Sequence, residues 1–566
     1  MAKLVTNEMV DDIPILLNTL QIMNLPAIIN EICPTHGNWS GLPIGEMCAI
    51  WITHIISQAD HRLSHVQKWA RCHIHTLSLF LGMEVRELDF TDDRLAIILE
   101  KLSDDEVWEQ IESRLNQESL RIYDIDNPTV RIDCTTVNSN CLVTEDGLVQ
   151  FGRSKDRQDL PQIKIALAAI DPIGLPLTIS TLPGNRADDP TYTPIIQKVR
   201  KSLNKSGLLY VGDSKMSAMS IRTEIVRNGD FYLTPLPKKI MPNTLLIEKI
   251  KQFEESDNQL IEVSREYSDG EIRQIAEGFE EWTSQSSVED DVGFQWEERR
   301  IYARSFNYAE TQKKALDKRI KKATEETEQM NLRGRGRKPP KTIEEAIEKG
   351  KNILNNYSLT GILEIDFKEN EERITKRKYK NNPEHEIIKK TINCQVNLNK
   401  QAYNDARKTM GWRVYATNKP DSSFSLEKVI LAYRNQYIIE DKFHRLKNHP
   451  TSLDPMFLTR DDHIDGLIKL ASLGLRVLVS IEMKVHESLD KNGESLAGVY
   501  EYNPKKITKK PRAERMLKIF ESVTLTIMNI EGVNMVFMSE LTDLQKRILS
   551  LLGTDERIFK KICGNL

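Results

Sequence analysis

At 566 residues the chain is too long for one hydrophobic core, and three or four folding units are expected. Hydrophobic residues at 39% and charged residues at 29% are ordinary for a soluble globular protein, while a net charge of only -4 argues against a simple basic protein that coats nucleic acid. Seven cysteines, odd in number and scattered, fit neither a disulfide framework nor a zinc site, and the apolar stretches fall short of the ~20 residues a membrane helix needs.

Residues 1–120 are predicted to be helical. Leu16, Leu20 and Met23 recur at i, i+4, i+7, as do Leu95, Leu99 and Leu102, and Ser103 with Glu106 makes a capping-box pattern. A plain helical packing domain is one reading of this front end. His61, His65, Cys72, His73 and His75 cluster in sequence but match no closed zinc spacing.

From 121 to 237 the period changes. Val130–Thr136, Ile163–Ile170, Leu175–Thr181, Leu208–Gly212 and Phe231–Leu236 are predicted strands, rich in β-branched residues. Asp171-Pro172-Ile173-Gly174 is a turn that makes the second and third an antiparallel hairpin. Thr191–Leu203 and Ser217–Asn228 are the connecting helices.

Residues 238–425 are expected to be an inserted α+β domain. Strand-like alternation at Gln259–Tyr267, Arg300–Arg304, Gly361–Phe367 and Ile392–Leu398 flanks a charged helix at Ala309–Met330 and another at Ile343–Leu354. Residues 299–341 hold fourteen Lys or Arg against five acids. Within them Arg333, Arg335, Arg337 and Lys338 form a Gly-Arg loop, suited to clamping a DNA backbone; a solvated helical tip is the plainer alternative. Trp296 has the look of a core residue, with base stacking as the sharper alternative. Residues 426–485 bring a signature helix and then one buried helix over 460–485. Residues 486–566 are predicted helical, with a basic linker at Tyr502–Lys510; residues 502–518 hold seven cations against one acid.

The most informative stretch is Tyr433 to Lys447. Tyr433, Glu440 and Lys447 stand seven apart, so one continuous helix would place all three on nearly one face. Ile438, Ile439 and Leu446 fall on the other side as a buried stripe. Two more carboxylates end apolar runs: Asp133 in Val130-Arg131-Ile132-Asp133, and Asp213 after Gly212. Together the three suggest a metal-dependent phosphoryl-transfer site acting on DNA.

These residues resemble the DDE superfamily of insertion-sequence transposases, in the branch with a retroviral-integrase-like, RNase H-like core. That branch carries a helix signature of Tyr, two residues, Arg, three residues, Glu, six residues, Lys. Tyr433, Glu440 and Lys447 match it, but Gln436 stands at the Arg position, with Arg434 two residues earlier. Phe151 to Gln162 resembles the family's Gly-x-Ser-Lys-Asp-x-Arg-x-Asp-Leu-x-Gln segment, and Leu182-Pro183-Gly184-Asn185 with Asp188 resembles another recurring block.

The resemblance implies an α/β fold: an RNase H-like core interrupted by a large inserted domain, with helical regions at both ends. The family's layout implies a second reading of the helical front end, recognition of specific DNA. Eighty residues from Asp133 to Asp213 is a usual spacing, whereas 227 from Asp213 to Glu440 requires the insertion. It implies Asp133, Asp213 and Glu440 as catalytic metal ligands for two Mg²⁺ ions, replaceable by Mn²⁺. Tyr433, Gln436, Lys447, Arg333, Arg335, Arg337 and Lys338 are expected DNA contacts. The implied activity is binding of terminal inverted repeats, followed by cut-and-paste cleavage and strand transfer, in a homodimer acting on double-stranded DNA. The expected place is the cytoplasm, at the nucleoid, with no membrane contact. A catalytically inactive, transposase-derived DNA-binding protein or repressor is the alternative.

Overall fold

The computed structural model describes residues 4–123, 125, 128–153, 157, 159–256, 258–267, 270–289, 292–332, 339–376, 385–530 and 533–564. They form two compact units. One comprises Met1–Thr234, Gln285–Trp296 and Leu431–Leu566; the other comprises Pro235–Ser284 and Glu297–Ile430.

In the first unit the strands lie in the order Leu175–Pro183, Gln162–Asp171, Thr129–Asn138, Leu209–Val211, Phe231–Pro235. The first three are antiparallel neighbours, and the last two run parallel to Thr129–Asn138. Every residue of Gln162–Asp171 is buried, which explains its nearly unbroken apolar run: both faces are covered. Ile163, Ile165 and Leu167 share a core with Ile439, Phe443 and Leu446 of the Tyr437–Lys447 helix. All five expected strands are present, and the Asp171–Gly174 turn joins an antiparallel pair.

The Asp461–Asn492 helix is the spine of this unit. Its sequence is broken by Lys469 and Arg476, yet both are buried. Lys469 Nζ pairs with Asp465 at 2.8 Å, and Arg476 donates to the Leu177 carbonyl at 3.0 Å. Lys469 is thus ion-paired, while Arg476 is held by neutral oxygens of Leu177 and Asn116, and burial lowers its pKa. The helix crosses Asp92–Ser103 at Gly466, where a Cβ would stand 2.3 Å from the Leu99 carbonyl oxygen and 2.7 Å from Leu99 Cα. Among the described residues no single helix is long and apolar enough to cross a membrane.

Three expectations need correction. The terminal regions are not purely helical: Leu4–Met9 pairs antiparallel with Thr524–Ile530, which pairs with Val533–Met538. A strand whose partner lies some five hundred residues away leaves little local signal. Glu8 pins it, its carboxylate accepting from His75 N at 3.1 Å and from Thr76 N at 2.8 Å. The third correction, to the signature helix, belongs with the site.

In the second unit the sheet order is Trp412–Thr417, Val292–Ser305, Ile272–Glu289, Ile261–Glu266. Phe253, Phe279 and Tyr302 stack beneath it at centroid spacings of 4.2 and 4.7 Å. The long Ile272–Glu289 strand was not foreseen, because its Glu-rich alternation leaves few apolar residues to mark it. A second pair, Leu363–Lys376 with His385–Leu398, packs on the Phe306–Met330 and Ile343–Asn356 helices through Leu316, Ala323, Ile353 and Ile392.

Gly466→Ala should cost about 1–3 kcal/mol, because the clash is with backbone and the two helices must part. A urea melt with unchanged midpoint would show that the crossing has slack.

Candidate active site

The sheet register brings two of the carboxylates together. Arg131 stands opposite Val211 in a parallel pair. Two residues further on, Asp133 and Asp213 leave neighbouring chains on the same face, where adjacent strands lie about 4.8 Å apart. Asp133 Oδ1 accepts from Cys134 N at 2.8 Å.

Asp213 is held more elaborately. Its Oδ1 accepts from the Tyr192 hydroxyl at 2.7 Å and from Lys215 N at 2.9 Å, while its carbonyl accepts from Thr234 Oγ1 at 2.7 Å. Oδ2 accepts nothing from the described residues. Tyr192 comes from the Asp189–Leu203 helix and is buried. Burial, and then the adjacent Asp213 carboxylate, pushes its phenol well above the usual value, so it stays protonated and donates. Gly212 makes the approach possible: a Cβ there would stand 3.0 Å from the Tyr192 ring and 2.8 Å from Met216 Sδ.

The third carboxylate arrives on Leu431–Lys447. Arg131, buried, donates to Asp171 Oδ2 at 2.7 Å and to the Ala432 carbonyl at 2.5 Å. Here the signature departs from expectation. Leu426–Arg434 and Tyr437–Lys447 are separate helices, divided by a turn at Asn435–Gln436. Bonds across the turn are of the tighter i to i+3 kind, from Gln436 N to the Tyr433 carbonyl at 3.3 Å and from Ile438 N to the Asn435 carbonyl at 2.9 Å. The seven-residue arithmetic from Tyr433 to Glu440 therefore does not hold across it. Tyr433 is 8% exposed, whereas Tyr437 is 55% exposed.

Asp133, Asp213, Tyr433 and Gln436 line one crevice, with Arg131 at its base. Glu440 is exposed and does not line it. Lys447 lies two turns after Glu440 on the same helix, half-buried. Among the described residues, the triad carboxylates are not drawn within 4.8 Å of one another; only Glu100, Asp462 and His463 are. Arg460 reaches into that group, at 2.8 Å from Glu100 and 2.5 Å from Asp462. Asp133, Asp213 and Glu440 offer only oxygen donors, the type hard divalent ions take, and in this structure Glu440 stands apart from the two aspartates.

The back of the Glu440 helix is fixed by charge. Arg445 is buried and pairs with Glu482 and, at 2.9 Å, with Glu514. Asp441 pairs with Arg512 and, at 3.2 Å, with Lys442.

The recurring blocks prove to be packing devices. A Cβ on Gly184 would sit 1.9 Å from the Gln162 carbonyl oxygen, and one on Gly152 would sit 2.3 Å from the Gly184 carbonyl oxygen. Asp188 pairs with Lys164 at 2.6 Å, and Asp159 pairs with Arg157 at 2.8 Å. Lys155 and Asp156 lie outside the described residues, as do Arg333, Arg335, Arg337 and Lys338. Trp296 is buried and donates to the Tyr232 hydroxyl at 3.0 Å. The clustered histidines disperse to separate partners: His65 to Asp60, His73 to the Trp69 carbonyl, His75 to Glu8. Sequence reasoning missed Arg131, Tyr192 and Arg445, since nothing local marks a lone Arg or Tyr as a tether.

The family model "Transposase DDE domain" matches residues 121–473, more than half of the chain. The chain belongs to that family. No curated protein matches it. Among solved structures, the cryo-EM structure of a piggyBac transposase synaptic complex with hairpin DNA is similar at 8% identity. The match covers 98% of this chain and 85% of that one with a TM-score of 0.34, too loose to carry an argument.

Arg445→Ala should destabilise the fold by about 3–5 kcal/mol, because it leaves Glu482 and Glu514 unpaired around a buried gap. A thermal melt within a degree or two of the parent would contradict this.

Proposed function

We propose that this transposase DDE-domain protein is the transposase of an insertion sequence. In this reading it binds the terminal inverted repeats, cuts them, and joins the freed 3′ ends to target DNA, as a homodimer at the nucleoid. The core acts as an RNase H-like platform, with the second unit as its insertion. The observation that carries the reading is the side-by-side exit of Asp133 and Asp213 on one face, in a crevice completed by Tyr433 and Gln436.

Asp133, Asp213 and Glu440 would hold two Mg²⁺ or Mn²⁺ ions. When bound, such ions supply charge stabilisation at the attacking and departing oxygens of an in-line displacement. The chain's own residues do the rest. Tyr192 and Lys215 N occupy Asp213 Oδ1, which keeps Oδ2 for coordination. Tyr433 and Gln436 border the crevice, and Gln436 offers neutral hydrogen bonds to a phosphate at its mouth. Lys447, about 10 Å along the helix from Glu440, meets the DNA backbone beyond the cut. Arg333, Arg335, Arg337 and Lys338 add backbone contacts from the insertion. An inactive repressor is disfavoured because all three carboxylates are present.

Asp133→Ala, Asp213→Ala and Glu440→Ala should each abolish cleavage of an inverted-repeat duplex while leaving end binding nearly intact. Mg²⁺ or Mn²⁺ should support cutting and Ca²⁺ only assembly, since Ca²⁺ prefers more ligands at longer distances. Retained cleavage in any variant removes that residue from the triad.

Tyr192→Phe keeps the ring and loses the donor. It should weaken Mn²⁺ binding about 10- to 100-fold, and raised metal should restore much of the cleavage. Titration of Mn²⁺ by its paramagnetic signal measures this, and an unchanged affinity would reduce Tyr192 to a packing role.

A further inference from the structure

We propose that the segment Tyr502–Arg512 is a second DNA-backbone surface, placed beside the Glu440 helix. The inference rests on the transposase reading and specifies a surface which that reading leaves without a role.

Seven cations lie between residues 502 and 518, and the structure sorts them. Arg512 and Lys518 are committed to ion pairs, with Asp441 and, at 3.0 Å, with Glu501. Arg515 comes after the loop and lies 4.2 Å over the Tyr500 ring. Lys505, Lys506, Lys509 and Lys510 are exposed and make no ion pair among the described residues. A run of lysines is often only a solvated face. This one differs in being ordered and in where it is anchored.

The order comes from backbone bonds. Leu496 and Thr508 exchange bonds of 2.8 and 2.9 Å, Gly498 N donates to the Pro504 carbonyl at 3.0 Å, and Lys506 N donates to the Asn503 carbonyl at 2.9 Å. Lys506 Nζ adds a contact 4.4 Å over the Tyr500 ring. Four cations are therefore presented on a folded loop, which lowers the entropy lost when a polyanion binds. Tyr502, 96% exposed at its tip, offers a face for a sugar or base.

The anchor sets the position. Arg512 grips Asp441, the residue after Glu440, and the Pro511 carbonyl accepts from His486 at 2.9 Å. Lys510 and Lys509 precede Arg512 by two and three residues, at most about 7 and 11 Å of chain. With the Arg512 side chain and the width of the helix added, they lie within roughly 30 Å of Glu440, less than one turn of DNA. Two neighbouring aspartates with Glu440 on the adjacent helix need such a counter-field nearby if a polyanion is to approach.

The test uses the full chain with all four lysines exchanged for Ala, at a thermal midpoint matching the parent. Binding to a duplex of unrelated sequence is measured across salt concentrations without divalent ions. The expected result is a shallower slope of log K against log salt, by up to about 3.6 if each lysine neutralises one phosphate. A second arm places a photocrosslinker at Lys509→Cys in a Cys72→Ser background; crosslinks should fall within about one helical turn of DNA from the scissile phosphate. A parent chain that binds no duplex overturns the transposase reading and this inference together. A parent that binds, with a slope the four-lysine variant keeps, overturns this inference alone. Crosslinks only at remote positions overturn the placement. So does loss of binding to phosphatidylserine vesicles with an unaltered DNA slope, which would mark a lipid surface instead.

Discussion

Much of the site depends on one buried guanidinium. Arg131 lies two residues before Asp133 on the same strand face, and it holds both the Asp171 carboxylate and the carbonyl of Ala432. Its charge is taken out of water, a cost several times a single hydrogen bond unless it is paired, so neither partner can leave cheaply. The bond to Ala432 spans 301 residues of sequence and fixes where the chain re-enters the first unit. From there Glu440 is only eight residues away. An intervening domain is tolerable on these terms: lengthening a connection from about 30 to about 230 residues is three doublings, roughly 2 kcal/mol of closure entropy. A charge-assisted tether of this kind, with the apolar stripe of Ile439, Phe443 and Leu446, offsets that cost.

How much of this was legible follows from how local each cause is. The five core strands announced themselves by short apolar runs, unbroken in Gln162–Asp171, where both faces are covered, and alternating with polar residues in Thr129–Asn138. Asp133 and Asp213 were legible as polar residues ending such runs. The break at Asn435–Gln436 was not, because no residue from Tyr433 to Glu440 is Gly or Pro and every one tolerates a helix. Its surroundings are tertiary: Tyr433 is buried on one side of the turn and Ala432 is bonded to Arg131. The terminal sheet was equally hidden, since Leu4–Met9 is stabilised by Thr524–Ile530 and by Glu8 reaching His75 and Thr76. Tyr192 had no signal at all. It sits in an amphipathic helix where any large residue would fill the space, and only the geometry at Gly212 makes its hydroxyl useful.

The family's recurring blocks acquire a physical meaning here that a motif alone does not provide. Gly152 and Gly184 are glycines because the chain passes within van der Waals contact of backbone at each, and Gln162 donates to the Gly184 carbonyl at 2.8 Å across that gap. Lys164 and Asp188 join the start of the Tyr192 helix to the sheet, so the block that includes Asp188 also sets the height at which Tyr192 meets Asp213. These residues shape the site without entering the crevice.

The three carboxylates are consequently not equivalent. Asp133 is carried by a strand and Asp213 by the residue just past one, and each has an oxygen engaged by a protein donor, so their separation is set by sheet geometry. Glu440 is carried by a helix that enters through a turn with hydrogen bonds of 2.9–3.3 Å, and it stands outside the crevice the aspartates share. What limits its travel is the far side of that helix, where Arg445 is locked to Glu482 and Glu514, and where Asp441 is held by Arg512. The same ion cluster therefore holds both the back of the Glu440 helix and the end of the lysine loop at Arg512, so that the cations of that loop and the Glu440 carboxylate are tied to one helix.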